Sequence, residues 1–258
     1  PSLFLGLVDE SGGMEYYDGF LRVMDAAGNI VADRLDPRTY RDVISERTEP
    51  WSYMSFPVWS ALGFDAGLYR VGPLARCNIS AHTGSPKSDR ELAEFRQRAG
   101  SRGPVLHSFQ YHLARCIELL FALERIEELL TDPETLRTDT LRARAFSNRP
   151  QGIGVTEAPR GTLFHNYTSG RDGVIRHVDF LIATAQNNLA MNRTLQQIAM
   201  HLIRDARQDV DEDILRRIEA GIRCYDPCFS CATHAMGRMP LVIEYRDEDD
   251  SLLRRFHR

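Results

Sequence analysis

Three cysteines and a histidine near the C-terminus have the types and spacing best suited to chemistry. The segment reads Cys224-Tyr-Asp-Pro-Cys228-Phe-Ser-Cys231-Ala-Thr-His234. A Cys-x2-Cys pair places two sulfurs on one side of a tight turn, where both thiolates can bind one metal ion. The Asp-Pro pair ahead of Cys228 favours such a turn. We therefore expect metal binding or thiol chemistry at this segment.

Four interpretations of this cysteine cluster compete. The spacing resembles that of radical S-adenosylmethionine enzymes, but only 27 residues follow Cys231, too few for the barrel that comes after the motif there. The three cysteines and His234 could form a structural Cys3His zinc site. Cys228 and Cys231 could be a redox dithiol, although no thioredoxin-like pattern surrounds them. The pair could also be half of a larger metal site.

The elements that must position the cluster are predicted from hydrophobic periodicity and turn residues. Strands are predicted at 3–9, 19–25 and 29–35, with a hairpin turn at 26–29, and two more at 162–168 and 174–184, joined by the turn 169–173. Helices are predicted at 88–99, 104–130, 187–204 and 211–224. Residues 50–75 are rich in aromatic residues, Pro and Gly, which indicates irregular structure packed on a core. The cysteine cluster follows the last helix directly.

Other residues receive structural interpretations. On the longest helix, core positions are expected at Leu113, Cys116, Ile117, Leu120 and Leu123. A solvated face is expected for Glu118, Glu124, Glu127 and Glu128. Packed apolar roles are expected for Cys77, Cys116 and Cys224.

Composition places the chain among globular proteins. It has 258 residues, 43% hydrophobic and 26% charged, with a net charge of -4, which excludes collagen-like, disordered and disulfide-scaffold classes. The sequence has no apolar run of about 20 residues, so we expect no membrane span. Its basic residues are scattered, so we expect no nucleic-acid partner. The odd number of cysteines, five, and the absence of a signal-like start favour a reduced, cytoplasmic protein.

Four motifs, taken together, resemble nickel–iron (NiFe) hydrogenase large subunits. Residues 226–234 resemble the C-terminal signature of that family, residues 157–161 match its EAPRG motif, and residues 69–76 (YRVGPLAR) contain its VGPLAR motif. Residues 183–192 (ATAQNNLAMN) and the THA at 233–235 resemble the soluble NAD(P)-reducing branch. The motifs occur in the family's order and span most of the chain.

The resemblance implies a role for each matched residue. Cys228 would be a terminal nickel thiolate, and Cys231 would bridge nickel and an iron that carries cyanide and carbon monoxide ligands. Arg160 would lie over the open face of the metals, where its guanidinium can polarise H2 and donate to a cyanide. Pro159 would line the same pocket, and the Thr184 hydroxyl would donate to the other cyanide. The general-base role would fall to Cys228 or Arg160.

The resemblance also implies a magnesium site and a maturation step. His234 would bind magnesium, together with a backbone carbonyl near Phe180. A maturation endopeptidase would cut after His234 once nickel-insertion proteins have loaded the metal. The remaining residues, 235–258, would be the tail removed in that step.

The family's first cysteine pair, in an Arg-x-Cys-Gly-x-Cys context, is absent from this sequence, as is the glutamate beside it. We therefore expect one partial domain, 1–258, equivalent to the C-terminal half of a large subunit. Within it, residues 1–50 would be rich in strands and residues 88–234 would form a helical core with the metal ligands. A fragment is the favoured explanation, and a separate polypeptide for the missing half or a degenerate relative are the alternatives.

The predicted elements and the family resemblance together imply an α+β fold that is mainly helical. It would be a helical bundle of the large-subunit type with a small antiparallel β portion near the N-terminus. The implied activity is reversible cleavage of H2, with electrons passing through a small iron–sulfur subunit to a flavin module and NAD(P). The first alternative is a metal-free scaffold subunit similar to one in respiratory complex I. The second is a zinc-stabilised interaction domain.

Overall fold

The structure is a computed structural model that describes residues 2–50, 52–98, 103–139, 149–203, 211–233, 242–247, 249 and 251–257. The helices are α1 (Tyr40–Val43), α2 (Gly63–Ala66), α3 (Pro73–Ile79), α4 (Pro86–Arg98), α5 (Tyr111–Thr131), α6 (Ala183–Gln186), α7 (Asn188–Leu202), α8 (Glu212–Cys224) and α9 (Phe229–Thr233). The strands are β1 (Leu3–Val8), β2 (Phe20–Met24), β3 (Ile30–Leu35), β4 (Ile44–Arg47), β5 (Phe56–Trp59), β6 (Tyr69–Arg70), β7 (Gln151–Ala158), β8 (Gly161–Ser169), β9 (Ile175–Leu181), β10 (Val242–Arg246) and β11 (Leu252–His257). The protein is therefore α+β, as predicted.

The first sheet has the strand order β3-β2-β1-β6, with β1 antiparallel to β2 and parallel to β6. The three predicted N-terminal strands are confirmed. The predicted turn between β2 and β3 is also confirmed, since Asp25 and Asn29 are hydrogen-bonded at 2.9 Å and Gly28 has a φ of +92°. The prediction of irregular structure at 50–75 is wrong in part, because β5, α2 and β6 lie there.

Strand β1 separates two hydrophobic cores, because successive side chains of a strand point to opposite faces. Phe4 and Val8 belong to a core shared with α3, α4 and α5. The other face of β1 packs against the second sheet, where Leu5 and Leu7 share a core with Phe164 and Leu181. The first sheet therefore lies between a helical layer and the strands that carry the EAPRG motif.

The second sheet has the order β7-β8-β9 and is antiparallel. Strands β8 and β9 confirm the two strands predicted here, whereas β7 was not predicted. The expected fold placed the β portion near the N-terminus. The second sheet shows that β structure also lies in the second half of the chain. A hairpin of β10 and β11 adds further strand structure within the segment expected to be a cleaved tail.

The predicted helices are confirmed as α4, α5, α7 and α8, and the predicted core face of α5 is confirmed in part, at Ile117 and Leu113. Tyr111, Ala114 and Ile117 are buried, and α5 packs on α3 and α4. Cys116 is exposed and Leu123 is 56% exposed, so neither is a core residue. Helix α5 carries apolar side chains on more than one face, and spacing alone cannot identify the face that packs.

The described helices include none long and apolar enough to cross a membrane. Cys77 and Cys224 are buried, as expected.

Candidate metal centre

The EAPRG motif forms the tight turn between β7 and β8. The antiparallel register runs through the pair Ala158 and Gly161, so Pro159 and Arg160 alone form the loop. Gly161 has a φ of +140°, a conformation that an L side chain rarely adopts. Pro159 is exposed, and Arg160 is partly exposed at the tip. The turn thus presents the Arg160 side chain outward from a two-residue loop.

The VGPLAR motif lies directly behind this turn, in backbone contact with it. A Cβ added to Gly72 would lie 2.5 Å from the carbonyl oxygen of Arg160. A Cβ added to Gly161 would lie 2.3 Å from Cγ2 of Val71. Both positions therefore require glycine, and the two motifs fit together because Gly72 and Gly161 carry no side chain where they meet the other motif.

The third motif connects these two segments through buried amides. The Asn187 side-chain oxygen accepts from the backbone N–H of Val71 at 3.0 Å. Gln186 donates to the backbone carbonyl of Thr162 at 2.5 Å and accepts from the hydroxyl of Tyr69 at 3.2 Å. Both amides are at most 2% exposed, so these hydrogen bonds are shielded from water and fix the three segments together.

Glu157, the first residue of the EAPRG motif, is a buried carboxylate in the same region. It accepts from the backbone N–H of Leu7 at 2.9 Å, from the Thr162 hydroxyl at 2.8 Å, and from Arg76 at 2.5 Å. Burial raises the pKa of Glu157 above its ordinary value, against the opposing effect of Arg76. Glu118 binds Arg76 from the other side, so the prediction of a solvated Glu118 is wrong.

Asp226 determines how the chain leaves α8 and enters the cysteine pair. Its φ is +49°, which reverses the chain beyond the helix, and its backbone N–H donates to Arg223 at 3.1 Å. Aspartate tolerates this left-handed conformation better than most residues. The Cys228 carbonyl then accepts from Ala232 at 3.1 Å in the first turn of α9. The reversal brings Cys228 back toward α6.

Cys228 and Cys231 lie three residues apart on this turn, with a Cα–Cα distance of 5.4 Å. In the structure the two sulfurs are joined as a disulfide. Cys228 is partly buried and Cys231 is exposed. Cys228 directly precedes α9 and Cys231 lies three residues further on, so the two thiols would remain close to each other after reduction.

The structure brings Arg160 and Thr184 to the cysteine segment. Arg160 donates from Nε to the backbone carbonyl of Asp226 at 2.5 Å, and Nε lies 3.2 Å from the Asp226 carboxylate. The buried Thr184 hydroxyl accepts from the backbone N–H of Cys228 at 3.1 Å. A cationic guanidinium, a hydroxyl and two sulfurs therefore come from three distant segments to one place.

Two other predicted residues have contacts elsewhere in the described part of the chain. Cys224 is buried, and its sulfur donates to the Ala220 carbonyl at 3.2 Å within α8. The Phe180 ring lies on the second sheet, 4.4 Å from the ring of His165 and 5.6 Å from that of Tyr167. His234, and with it the predicted cleavage point, lies outside the described residues.

The chemistry of this donor set decides which metal it suits. Among the described residues, no three His, Cys, Asp or Glu side chains are grouped to hold a metal ion. Within that part of the chain, Cys224 thus adds no third thiolate to Cys228 and Cys231. Within the described residues, two thiolates are too few for a closed zinc site, and they suit one side of a centre of soft metals such as nickel and iron.

Comparisons with known proteins relate the chain to hydrogenases. The sequence model of the family described as nickel-dependent hydrogenase matches residues 9–234. The chain is 40% identical over 257 residues to the beta subunit of the NAD-reducing hydrogenase HoxS from Cupriavidus necator, covering 98% of this chain and 51% of that protein.

Solved structures give the same relationship. A NAD+-reducing NiFe hydrogenase in the H2-reduced state matches with a TM-score of 0.82 and 36% identity, over 90% of this chain and 51% of that one. The NiFeSe hydrogenase of D. vulgaris Hildenborough shares the fold, with a TM-score of 0.58 and 20% identity, over 90% of this chain and 52% of that one. The chain thus spans about half the length of these relatives, and it belongs to the nickel-dependent hydrogenase family.

Proposed function

We propose that this chain forms part of the catalytic subunit of a nickel–iron hydrogenase that cleaves H2 reversibly. The observation that carries the proposal is the contact between Arg160 and Asp226, two residues ahead of Cys228. The contact joins a cation of the EAPRG turn to the segment that carries the two sulfurs, which supports the proposal. Cys228 and Cys231 would hold nickel and iron as thiolates, with cyanide and carbon monoxide as further iron ligands. When bound, this centre would supply the heterolytic cleavage of H2.

The side chains around the sulfurs have separate tasks in this proposal. A guanidinium stays protonated in proteins, so Arg160 supplies positive charge and hydrogen bonds rather than acting as a base. The Cys228 sulfur would then accept the proton that is released when the bound centre cleaves H2. Thr184 fixes the Cys228 backbone and keeps a hydroxyl proton with which to donate. Pro159 limits the freedom of the turn at the mouth of the site.

Further parts of the proposal concern the whole protein. His234 and the backbone carbonyl of Phe180 would hold magnesium, and nickel-insertion proteins and an endopeptidase would complete maturation after His234. Electrons would pass to a small iron–sulfur subunit and then through a flavin module to NAD(P), in a cytoplasmic complex. The similarity to the NAD-reducing relatives supports this electron path. The complete subunit would also contain the helical bundle that is typical of hydrogenase large subunits.

Metal analysis of the protein purified from its native host tests the proposal. We expect nickel together with iron, H2 oxidation, and an intact mass of this subunit that ends at His234. Cys228→Ser should abolish nickel retention, whereas Cys116→Ser, at an exposed position on α5, should leave it unchanged. Zinc alone would instead indicate a structural domain, and absence of metal a scaffold subunit; either result would overturn the proposal.

A further inference from the structure

Arg76, in the VGPLAR motif, is a fully buried cation whose hydrogen-bonding capacity is completely used. Arginine has five N–H groups in a planar fork. Three of them bind carboxylates, two to Glu118 at 2.6 and 2.8 Å and one to Glu157 at 2.5 Å. The other two donate to the backbone carbonyls of Ala158 at 3.1 Å and Pro159 at 3.4 Å.

The last two contacts distinguish Arg76 from an arginine that only neutralises buried carboxylates. Ala158 and Pro159 immediately precede Arg160, so the fork binds the backbone of the very turn that carries Arg160. Glu157 secures the same turn at its base, through Leu7 of β1 and Thr162 of β8. The turn is therefore fixed from both of its ends.

We propose that Arg76 is a positioning residue for Arg160, which sets the direction of the Arg160 guanidinium by fixing the backbone of the 158–161 turn. The proposal rests on the catalytic role proposed for Arg160. Placement matters at such a site, because a displacement of about 1 Å caused by a distant mutation can cost roughly 100-fold in rate.

Stability alone is a weaker explanation of this cluster. Burying a charge has a large desolvation cost, and well-packed apolar residues are often as stabilising as a buried ion pair. An ion pair also needs no contact with backbone carbonyls. The two carbonyl contacts give geometric specificity, which a lysine with its single ammonium group cannot reproduce.

The first test compares the fully buried Arg76 with the half-buried Arg96, since both donate to backbone carbonyls. Arg76→Lys keeps the charge but loses the fork, and Arg96→Lys does the same at a site whose partners are the carbonyls of Cys77, Ser80 and Ala81. We expect Arg76→Lys to raise amide hydrogen exchange in the 157–162 peptide of the host-purified protein by about tenfold. Arg96→Lys should leave that peptide unchanged. Equal exchange in Arg76→Lys and wild type would overturn the proposal.

The second test is a double-mutant cycle on kcat for H2 oxidation. If Arg76 acts through Arg160, Arg76→Lys should lower kcat by about 10- to 100-fold in the wild-type background and have no further effect in Arg160→Lys. Losses that multiply in the double variant would show that Arg76 acts independently of Arg160. That result would also overturn the proposal.

Glu118→Gln is the second variant, for the case in which Arg76→Lys does not fold. It keeps the shape of the side chain and weakens its hold on the fork, so a smaller rise in exchange of the same peptide is expected. Unchanged exchange would again count against the positioning role. Should the wild-type protein oxidise no H2, the proposed function fails, while the exchange measurement still decides whether Arg76 fixes the turn.

Discussion

Arg160 and Asp226, 66 positions apart in the sequence, meet through two contacts of a single atom. The Arg160 Nε donates to the Asp226 backbone carbonyl at 2.5 Å and lies 3.2 Å from its carboxylate. Asp226 holds a φ of +49° directly before a proline, a conformation that local sequence disfavours. Arg160 binds Asp226 in this left-handed conformation. The direction of the guanidinium is therefore coupled to the path of the chain into Cys228.

Arg160→Lys should reduce H2 oxidation by about 100-fold, the usual cost of removing a hydrogen-bond donor that stabilises charge in a transition state. Lysine retains the charge but has no planar fork with which to hold the Asp226 carbonyl while reaching outward. Nickel and iron content should stay near the wild-type value, because Arg160 binds no metal in the proposal. Turnover at saturating H2 and elemental analysis of the same sample measure the two quantities.

The matched control for Arg160→Lys is Arg176→Lys on β9. Arg176 is exposed and pairs with Asp172 at the protein surface. Such pairs contribute little, about 0 to 1 kcal/mol, so activity and metal content should both be unchanged. Wild-type turnover in Arg160→Lys would remove Arg160 from the proposed site.

Asp179 should make stability depend on pH in the acid range. Burial alone would raise the pKa of Asp179, but hydrogen bonds from Arg41 and Tyr40, both at 2.8 Å, lower it below its ordinary value of 3.8. A carboxyl whose folded pKa is lowered stabilises the protein above its unfolded pKa. This stabilisation is lost as the pH falls through the folded pKa. We therefore expect the denaturant concentration at the unfolding midpoint to decrease when the pH is lowered below about 4.

Asp179→Asn should reduce that acid-dependent loss and lower stability at pH 7 by about 1 kcal/mol, since the pair is partly exposed. Asp213→Asn is its control, because the Asp213 pair with Arg217 is 67% and 61% exposed and lies on one helix. If Asp179→Asn and wild type lose stability in parallel below pH 4, another group causes the dependence.

Local patterns were sufficient for much of the fold. Strands β1 to β3 and helices α4, α7 and α8 were predicted, because each has a clear period and a turn or cap at its ends. Strand β7 was missed, since Gly152 and Gly154 interrupt its apolar alternation and the strand is defined by pairing with β8. The packed face of α5 was predicted only in part, with Cys116 and Leu123 placed wrongly, because several faces of this helix are apolar.

Motif matching predicted which segments form the candidate site, but it could not predict what supports them. Arg160, Thr184 and Cys228 do come together in the structure. Arg76 and Glu118 were missed as a pair, since a helix pattern around Glu118 contains no information about a cation on another helix. One signal was available, because Arg76 interrupts a short run of small and apolar residues, Leu74, Ala75 and Cys77. A charge in such a run is rarely buried unless it is paired.

Gly72 and Gly84 have the same φ of +91°. Alanine substitutions at the two positions therefore distinguish the cost of the positive φ from the cost of the contact with the Arg160 turn. A Cβ added to Gly84 would meet open space, with nothing within 4 Å, whereas a Cβ added to Gly72 would meet the Arg160 carbonyl at 2.5 Å. Alanine at either position costs about 1 to 3 kcal/mol because of the positive φ. Gly72→Ala should cost a further 1 to 3 kcal/mol, roughly, because the turn must move.

The displaced turn should also misplace Arg160, so Gly72→Ala is expected to lose H2 oxidation while Gly84→Ala retains it. Denaturant unfolding and turnover, measured on both variants, give the two comparisons. Equal losses of stability would mean that the turn yields to the added methyl group without strain. Full activity in a folded Gly72→Ala protein would mean that the close approach of the VGPLAR and EAPRG motifs does not control Arg160.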